Sequence, residues 1–339
     1  MNAEQQVKAR WATSILNKRA LRPLIQGLFL SFSLTTLQPA FAASCCGGGA
    51  GSGVILPKFN DAMWDLSVAH EAYEGYWTKD GDHQDDPANS DLLQQRLQFS
   101  YAHRIGEQWQ LNASLPVVDN QNTYGGNTSQ VTAIGDTHIS LWYEAFERVT
   151  CVYKITGWES LKPSIYIGTG LTLPTGVSAY SDRVDNSFDI TGLGFYRLDA
   201  NAIIEKTVYP WSVSWQGSYG YHFERPINQE YGQAVTPYDK QLGERRSSSL
   251  ALAYTWFLPG LAMLNLGVSH QYLKQGATYY DGQRDDLSGF SKTSLGSTLS
   301  YTTSPRDWIV KLGLTQAQSG YNYPKTLSVT MGVSHVFNL

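Results

Sequence analysis

The feature that most constrains this chain is a two-residue alternation of apolar and polar side chains that continues to its last residue. In the closing stretch TLSVTMGVSHVFNL, the odd-numbered positions from Leu327 to Leu339 are apolar except for His335, and the even-numbered positions are mostly small or polar. Successive side chains of a β-strand point to opposite faces of a sheet. The end of the chain is therefore predicted to be a strand with one apolar face, and such a strand needs a partner.

The same alternation recurs along the chain and predicts an all-β protein with an even number of strands. Twelve strands are predicted, at residues 62–75, 92–104, 108–118, 132–146, 163–173, 193–206, 211–224, 247–257, 261–274, 292–303, 307–317 and 326–339. One face of these strands carries mainly Leu, Ile, Val and aromatic residues, whereas the other carries mainly Gly, Ser, Thr, Asn and Gln. One side of the predicted sheet suits apolar surroundings and the other suits water.

The connections between the predicted strands fall into two classes that alternate along the chain. Short connections contain RIGEQ, VYP, FLPG and SPRD, and long ones cover residues 75–91, 119–131, 174–192, 225–246, 275–291 and 318–325. Tight turns on one side and longer loops on the other are typical of outer-membrane barrels. Segment 147–162 is a long connection on the short-turn side. It is either a periplasmic elaboration or a hairpin missing from the count.

Aromatic residues next to the short turns indicate the same architecture. Tyr101 and Trp109 flank RIGEQ, and Tyr301 and Trp308 flank SPRD. Rings with one polar edge favour the membrane–water boundary, and in hydrocarbon every backbone polar group needs an internal partner, so the sheet must close. The sequence therefore predicts a transmembrane antiparallel up-and-down β-barrel of about 12 strands over residues 62–339.

Residues 1–42 have the properties of a secretory signal peptide. Five Lys and Arg residues precede the apolar run LIQGLFLSFSL, and AFA at positions 40–42 fits a cleavage site. A membrane anchor is the alternative, although the run is short for a spanning helix. Removing this segment takes away five of the 25 Lys and Arg residues and one of the 29 Asp and Glu residues, which leaves a net charge of −8. This charge argues against nucleic acid as a partner.

Residues 43–61 are predicted to form a flexible mature N-terminus, because they include the glycine-rich stretch CCGGGAGSG. The alternative for Cys45, which follows AAS, is lipidation as in bacterial lipoproteins. The chain has three cysteines, at Cys45, Cys46 and Cys151. They allow at most one intramolecular bridge, so no disulfide framework is predicted.

Strand parity places a set of charged side chains on the face that would line the lumen. The candidates for setting selectivity are Arg96, Arg197, Asp199, His222, Glu224 and Lys311. A hairpin around Pro210 is expected to bring four of them, Arg197, Asp199, His222 and Glu224, together towards the outer end. This cluster is either a salt-bridge network that braces the barrel or a site for a solute.

Two other groups of polar residues have alternative interpretations. His138 and Ser140, in THIS, have the spacing found in outer-membrane phospholipase A, but parity turns them inward, away from lipid, which disfavours a lipid-hydrolysing enzyme. The acidic residues of the first external loop are Asp80, Asp82, Asp85 and Asp86. Their oxygens suit a divalent cation, but the spacing is not that of an EF-hand. Neither a metal site nor a cofactor is predicted.

Two short motifs in the middle of the chain resemble a known family. The matching residues are Gly135, Asp136, Leu173, Pro174, Thr175 and Gly176. Proline ends a strand ladder and glycine permits the turn into a long loop. The pattern resembles the bacterial outer-membrane proteins linked to the meta-pathway of phenol degradation, which are regarded as transporters. The resemblance implies uptake of small, aromatic or hydrophobic compounds.

The sequence as a whole predicts a channel in the outer membrane of a Gram-negative bacterium that admits small molecules passively and catalyses no reaction. A structural or surface-interaction barrel with a sealed lumen is the alternative. The expected partners are outer-membrane lipid and lipopolysaccharide, a small solute and the barrel-assembly machinery. Phe337 and Leu339 resemble the C-terminal signal that this machinery recognises in its clients.

Overall fold

The computed structural model describes residues 55–58, 60–145, 151–304 and 306–339, without the side chain of Cys151. The predicted signal peptide of residues 1–42 and the alternative lipid site at Cys45 lie outside these ranges. The strands are β1 (Ala62–Trp77), β2 (His83–Gln84), β3 (Asp91–Ile105), β4 (Trp109–Tyr124), β5 (Asn127–Ile134), β6 (Thr137–Glu144), β7 (Cys151–Val152), β8 (Ser164–Leu173), β9 (Arg197–Val208), β10 (Trp211–His222), β11 (Arg225–Glu230), β12 (Gln233–Gln241), β13 (Arg245–Phe257), β14 (Met263–Gln275), β15 (Thr278–Tyr280), β16 (Gln283–Asp285), β17 (Phe290–Thr302), β18 (Trp308–Tyr321) and β19 (Tyr323–Phe337). The helical elements of these ranges are α1 (Trp158–Leu161) and a 3-10 turn (Pro259–Leu261). Neither is long and apolar enough to cross a membrane.

Twelve of these strands form one closed antiparallel ring. Its order is β1, β3, β4, β6, β8, β9, β10, β13, β14, β17, β18 and β19, and β19 returns to pair with β1. The closing pair runs from Ala62 opposite Phe337 to Trp77 opposite Tyr323. Closure leaves no free strand edge in the ring, as a membrane span requires. The predicted transmembrane barrel of twelve strands is confirmed.

The outer wall of the ring is apolar. Large hydrophobic side chains point outward from its strands and are exposed, for example Leu97 at 43%, Leu250 at 53% and Val310 at 51%. Water-soluble monomers rarely expose contiguous apolar patches larger than a few hundred Å². A continuous band of this kind is stable against lipid. The apolar face predicted from the sequence is therefore the outer face of the barrel, and the polar face lines the lumen.

Aromatic rings cluster at the short-turn end of the outer wall. The ring of Trp308 lies 5.5 Å from that of Trp64 and 4.4 Å from that of His335. Trp109 packs against Tyr143 at 4.8 Å. Such rings are enriched at membrane–water interfaces. His335, the polar exception on the apolar face of β19, therefore lies among interfacial aromatic rings.

In its described part, residues 151–162, segment 147–162 is an elaboration on the short-turn side that adds no strand to the ring. β7 forms a two-residue parallel bridge to the end of β9, with Cys151 opposite Thr207 and Val152 opposite Val208. The backbone amide of Tyr209 donates to the carbonyl of Val152 at 2.8 Å. Residues 146–150 lie outside the described ranges. Of the two alternatives for this segment, the described part matches the elaboration.

Two of the long external connections contain a small sheet, although the sequence indicated polar loops there. β11 pairs with β12, and the sheet continues through β15 to β16. Ile227 of β11 is 1% exposed. The guanidinium of Arg225 lies over the rings of Tyr180 at 5.2 Å and Phe195 at 5.9 Å. These hairpins escaped prediction because their strands are short and polar on both faces, so they have no apolar period.

Candidate functional site

Two glycines of the lumen wall lie directly beneath inward-facing side chains of neighbouring strands. A Cβ atom added at Gly170 would come within 2.6 Å of Cε1 of His138, and one added at Gly220 within 2.4 Å of Oδ1 of Asp199. Either contact would force the neighbouring side chain to move. Glycine at these two positions therefore lets the imidazole and the carboxylate lie flat against the wall.

Charged side chains face inward near the long-loop end of the barrel and form what we call the upper belt. Its members are Glu71, Arg96, Arg197, Asp199, Arg245 and Lys292. Arg197 and Arg245 are the first residues of β9 and β13, so they lie at the end opposite the short turns. In the register of the sheet, Gly220 of β10 stands between Asp199 and Arg245. The upper belt thus gathers charges from strands around the ring at one level of the lumen.

One ion pair of the upper belt is held in two-point geometry. Nε and Nη2 of Arg197 donate to Oδ1 and Oδ2 of Asp199 at 2.7 and 3.1 Å. Nδ1 of His138 lies 3.8 Å from Oδ2 of Asp199 and 3.1 Å from Oγ1 of Thr172. Asp199 is buried, and paired hydrogen bonds to a guanidinium are among the strongest that a carboxylate makes. Asp199 is therefore already neutralised by Arg197.

Of the other lumen candidates from the sequence, His222 stands directly opposite Arg197 in the register of β9 and β10, whereas Glu224 and Lys311 lie apart from this pair. His222, the last residue of β10, is buried and donates from Nδ1 to the carbonyl of Gly243 at 2.8 Å. Glu224 lies exposed in the link between β10 and β11. Lys311 lies near the short-turn end, where its Nζ is 3.2 Å from Oδ2 of Asp65. The structure thus brings Arg197, Asp199 and His222 together and places Glu224 and Lys311 elsewhere.

Arg245 was missed by the sequence reasoning although it faces the lumen. The alternation predicts a strand that begins at residue 247, which leaves Arg245 in the long connection 225–246, whereas β13 begins two residues earlier. Arg246, its neighbour, lies over the outer ring of Tyr219 at 5.7 Å. Adjacent strand residues point to opposite faces. The dipeptide Arg245–Arg246 was therefore the signal that could have revealed an inward arginine.

The short-turn end of the lumen is occupied by the segment that precedes β1. We call residues 55–58 and 60 the N-terminal plug. Leu56 is 3% exposed and packs in an apolar cluster with Met63, Ala102, Ile309 and Val336. Ile55 packs against a second cluster, formed by Trp142, Tyr166 and Ile203. Because both clusters face inward from strands around the ring, the N-terminal plug lies inside the barrel wall.

Backbone hydrogen bonds hold the N-terminal plug in this position. The amide of Leu56 donates to Oε1 of Gln110 at 3.0 Å. The guanidinium of Arg104 donates to the carbonyls of Asn60 at 3.0 Å and Pro57 at 3.3 Å. A buried backbone group without a partner is costly. These bonds satisfy the polar backbone of the N-terminal plug where its apolar side chains are buried.

A buried ion pair also ties the N-terminal plug to the wall. Nζ of Lys58 lies 2.8 Å from Oε1 of Glu144, and the two side chains are 16% and 7% exposed. Tyr166 stands opposite Glu144 in the register of β6 and β8, and its hydroxyl lies 3.5 Å from Oε1 of a second carboxylate, that of Glu205. This end of the lumen therefore holds two carboxylates and the ammonium of Lys58.

The two motifs of the family resemblance form one structural clasp at the long-loop end. Oδ1 and Oδ2 of Asp136 accept hydrogen bonds from the amides of Gly176 at 3.1 Å and Leu193 at 2.7 Å. Oγ1 of Thr175 donates to the carbonyl of Gly135 at 2.7 Å. The clasp ties both ends of loop 174–196 to the break between β5 and β6.

We expect Asp136→Ala to release loop 174–196 while the barrel stays folded. The substitution removes two charge-assisted hydrogen bonds, each worth about 1.5–3 kcal/mol. Arg183 is exposed within this loop, so limited digestion with trypsin should cut after Arg183 about tenfold faster than in the unmodified chain. Asp119→Ala is the control, because Asp119 is a carboxylate of the neighbouring hairpin that bonds Thr132 instead. Equal cutting rates in the two variants would contradict the clasp.

The acidic side chains of the first external loop do not converge on one point where a cation could bind. Oδ2 of Asp86 accepts from the amide of Gly75 at 2.9 Å, and Oδ1 of Asp85 lies 3.6 Å from Nδ1 of His83. Within the described ranges, no group of three or more His, Cys, Asp or Glu side chains is placed to hold a metal ion. Asp80 and Asp82 are exposed. The described geometry adds no support for a metal site in this loop.

His138 and Ser140 face the lumen and not the bilayer. Oγ of Ser140 accepts a hydrogen bond from Nε1 of Trp142 at 3.1 Å. Nδ1 of His138 contacts Thr172, as described above. A nucleophilic serine needs a base that takes its proton. In this structure the hydroxyl of Ser140 is engaged by an indole, and both residues belong to the lining of the lumen.

Comparisons with known proteins bear on the fold of this chain. No family model and no curated protein matches it. Among solved structures, an outer membrane channel from Pseudomonas putida F1 is similar with a TM-score of 0.62 and 14% identity, covering 86% of this chain and 100% of that one. The β domain of the Bordetella autotransporter BrkA gives a TM-score of 0.46 at 11% identity, covering 82% and 100% of the two chains. The first likeness shows a shared barrel fold, and the second is too weak to add to it.

Proposed function

We propose that this chain is a channel of the Gram-negative outer membrane through which small molecules diffuse passively. The observation that carries the proposal is Arg96, which points into the lumen from β3 and is nevertheless exposed. A charged side chain that is exposed inside a closed barrel is reached by water. The lumen is therefore wet at the level of the upper belt, where a solute can be selected by charge.

The size and lining of the barrel support small solutes. Twelve strands lie between small barrels filled by side chains and the wide porins, and the inner wall carries small and polar residues such as Gly170 and Gly220. The motif of Asp136 and Thr175, which resembles the phenol meta-pathway family, supports small aromatic or hydrophobic compounds as the solutes. The proposal requires neither a cofactor nor catalysis by the chain. Lipopolysaccharide and the barrel-assembly machinery are its expected partners.

The second candidate function is a structural barrel with a sealed lumen. It is favoured by the N-terminal plug, because Leu56 is buried at 3% exposure inside the short-turn end. A permanently seated plug would leave the upper belt accessible from outside only. The two candidates differ in whether ions cross the barrel.

Conductance in planar lipid bilayers distinguishes the two candidates. Purified barrel is added to the bilayer after its folded state has been verified by heat-modifiable migration on a gel. A channel should produce discrete current steps, smaller than those of wide porins because the lumen is narrow. Bilayers that stay silent with folded protein, also after Lys58 of the N-terminal plug is changed as described below, would overturn the channel and leave the sealed barrel.

A further inference from the structure

We propose that the upper belt is a binding site for small carboxylates, and for aromatic carboxylates above all. This inference rests on the proposed channel function and specifies its solute class. The cations of the upper belt are Arg96, Arg197, Arg245 and Lys292, and its acids are Glu71 and Asp199. Asp199 is already paired with Arg197. The charges that remain are three cations, Arg96, Arg245 and Lys292, and one acid, Glu71. Their sum is positive, so they attract an anion in the lumen.

Arg245 is the centre of the proposed site. Among the described residues, its guanidinium has neither a hydrogen-bond partner nor an ion-pair partner. Asp199 shares the register position of Gly220 with Arg245, so the like charge of Arg197, which pairs with Asp199, lies on the same stretch of wall as Arg245. A guanidinium has five N–H donors, and its planar fork matches the two oxygens of a carboxylate. A bound carboxylate would supply the missing acceptors and relieve the repulsion between these arginines.

Arg96 approaches the same space from the opposite side of the ring. Its Nη2 donates to Oε1 of Gln94 at 2.6 Å, so its bonded partner is a neutral amide. Arg96 is exposed to the lumen, and its strand, β3, stands opposite β13, the strand of Arg245, in the ring of twelve. Two arginines on facing walls can therefore address one anion between them.

Aromatic rings next to these cations favour a ligand that has a ring of its own. The ring of Tyr323 lies 4.9 Å from that of Phe290, and Nζ of Lys292 lies 4.7 Å from the Tyr323 ring centroid. Offset-stacked and edge-to-face contacts between aromatic rings are favourable beyond the area that they bury. A carboxylate on an aromatic ring can use the arginines and these rings together.

A cation is the competing ligand, and the arrangement of the acids disfavours it. The carboxylate of Asp199 is bonded twice to Arg197 and has His138 beside it at 3.8 Å. Glu71 is then the acid of the upper belt that remains for a cation, and Arg96 lies on the adjacent strand. One carboxylate surrounded by guanidinium groups is a poor cation site.

Isothermal titration of the detergent-purified barrel with benzoate tests the site itself, whether or not the lumen conducts. We expect saturable binding of benzoate, weaker binding of acetate and no binding of benzyl alcohol, which has the ring without the charge. Arg245→Gln should weaken benzoate binding about tenfold or more, because it removes a charge-assisted contact. The matched control is Arg246→Gln, since Arg246 is exposed on the outer wall and bonds Glu244 at 3.0 Å. Equal affinity in the two variants, or absence of benzoate binding to the unmodified barrel, would overturn the proposal.

A second variant and a second measurement keep this test separate from that of the channel. Arg96→Gln should also weaken benzoate binding, and it decides the matter if Arg245→Gln fails to fold by the gel-migration assay. In planar bilayers with a salt gradient, the reversal potential should indicate anion preference that declines in Arg245→Gln and not in Arg246→Gln. Conductance without anion preference and without benzoate binding would remove the carboxylate site and leave the channel. Benzoate binding without conductance would support the site and remove the channel.

Discussion

We expect a chain truncated after Val336 to accumulate no folded barrel in the outer membrane of cells, whereas the same chain unfolded in urea should refold in detergent. The truncation removes the Ala62–Phe337 register pair from the closing seam, the exposed residues Asn338 and Leu339, and the hydrogen bonds that residues 337–339 make with Asn60 and Asp61. Loss of one terminal pair changes the stability of a long strand pair little. A failure confined to cells would therefore reflect lost recognition by the assembly machinery and not a weakened seam.

A variant that keeps an aromatic side chain at position 337 isolates this effect. Phe337→Tyr should assemble normally, because it keeps an aromatic residue beside His335, whose ring lies 5.6 Å from that of Phe337. Assembly is measured as the heat-modifiable band in the outer-membrane fraction. Normal assembly of the truncated chain in cells would show that Phe337 and Leu339 carry no signal. Loss of refolding in detergent would assign them to the seam instead.

The second large effect is expected at the ion pair that anchors the N-terminal plug. Lys58→Glu replaces the ammonium that neutralises Glu144 and leaves acidic groups facing each other at a poorly hydrated position. Breaking a buried ion pair costs roughly 3–5 kcal/mol. That cost should shift the equilibrium between the seated and displaced plug on the order of 100-fold or more towards displacement. Single-channel recordings should show larger or more frequent openings.

Exchange of the two charges gives a strict test of this interpretation. Glu144→Lys alone should also open the channel, because it faces Lys58 with a like charge, and the double variant Lys58→Glu with Glu144→Lys should restore the original recordings. Lys162→Glu is the control, since Lys162 pairs with Glu159 at an exposed position near the same end. Openings that increase equally in the control, or that persist in the double variant, would show that the pair does not hold the plug.

The strands of this barrel were predictable because their signal is local. A period of two is present within each strand, as in β19, and the alternation of short and long connections separates a membrane barrel from a soluble sandwich. The predicted strand 132–146 illustrates the limit of this signal. The structure divides it into β5 and β6 at Gly135–Asp136. The strand is interrupted there because the carboxylate of Asp136 accepts hydrogen bonds from the two ends of loop 174–196.

The site was predictable only in part. The pairing of Arg197 with Asp199 follows from their spacing on one face of a strand. The role of Arg245 depends on where β13 begins, and strand ends are the least certain feature of a sequence-based prediction. The packing of Ile55 and Leu56 has no sequence period at all, because two apolar residues after a glycine-rich stretch are equally compatible with a flexible tail.

The sequence alone was enough to predict the class of fold, the two faces of its strands and the closure of the sheet by its last strand. These properties depend on alternation and on the need of every backbone group for a partner in lipid. Only the tertiary structure decided which charges meet across the lumen and what occupies its short-turn end. Arg96 and Arg245 belong to strands on opposite sides of the ring, and whether they face each other at one level depends on the register of every strand pair between them. That register is a property of the closed ring, which no local pattern contains.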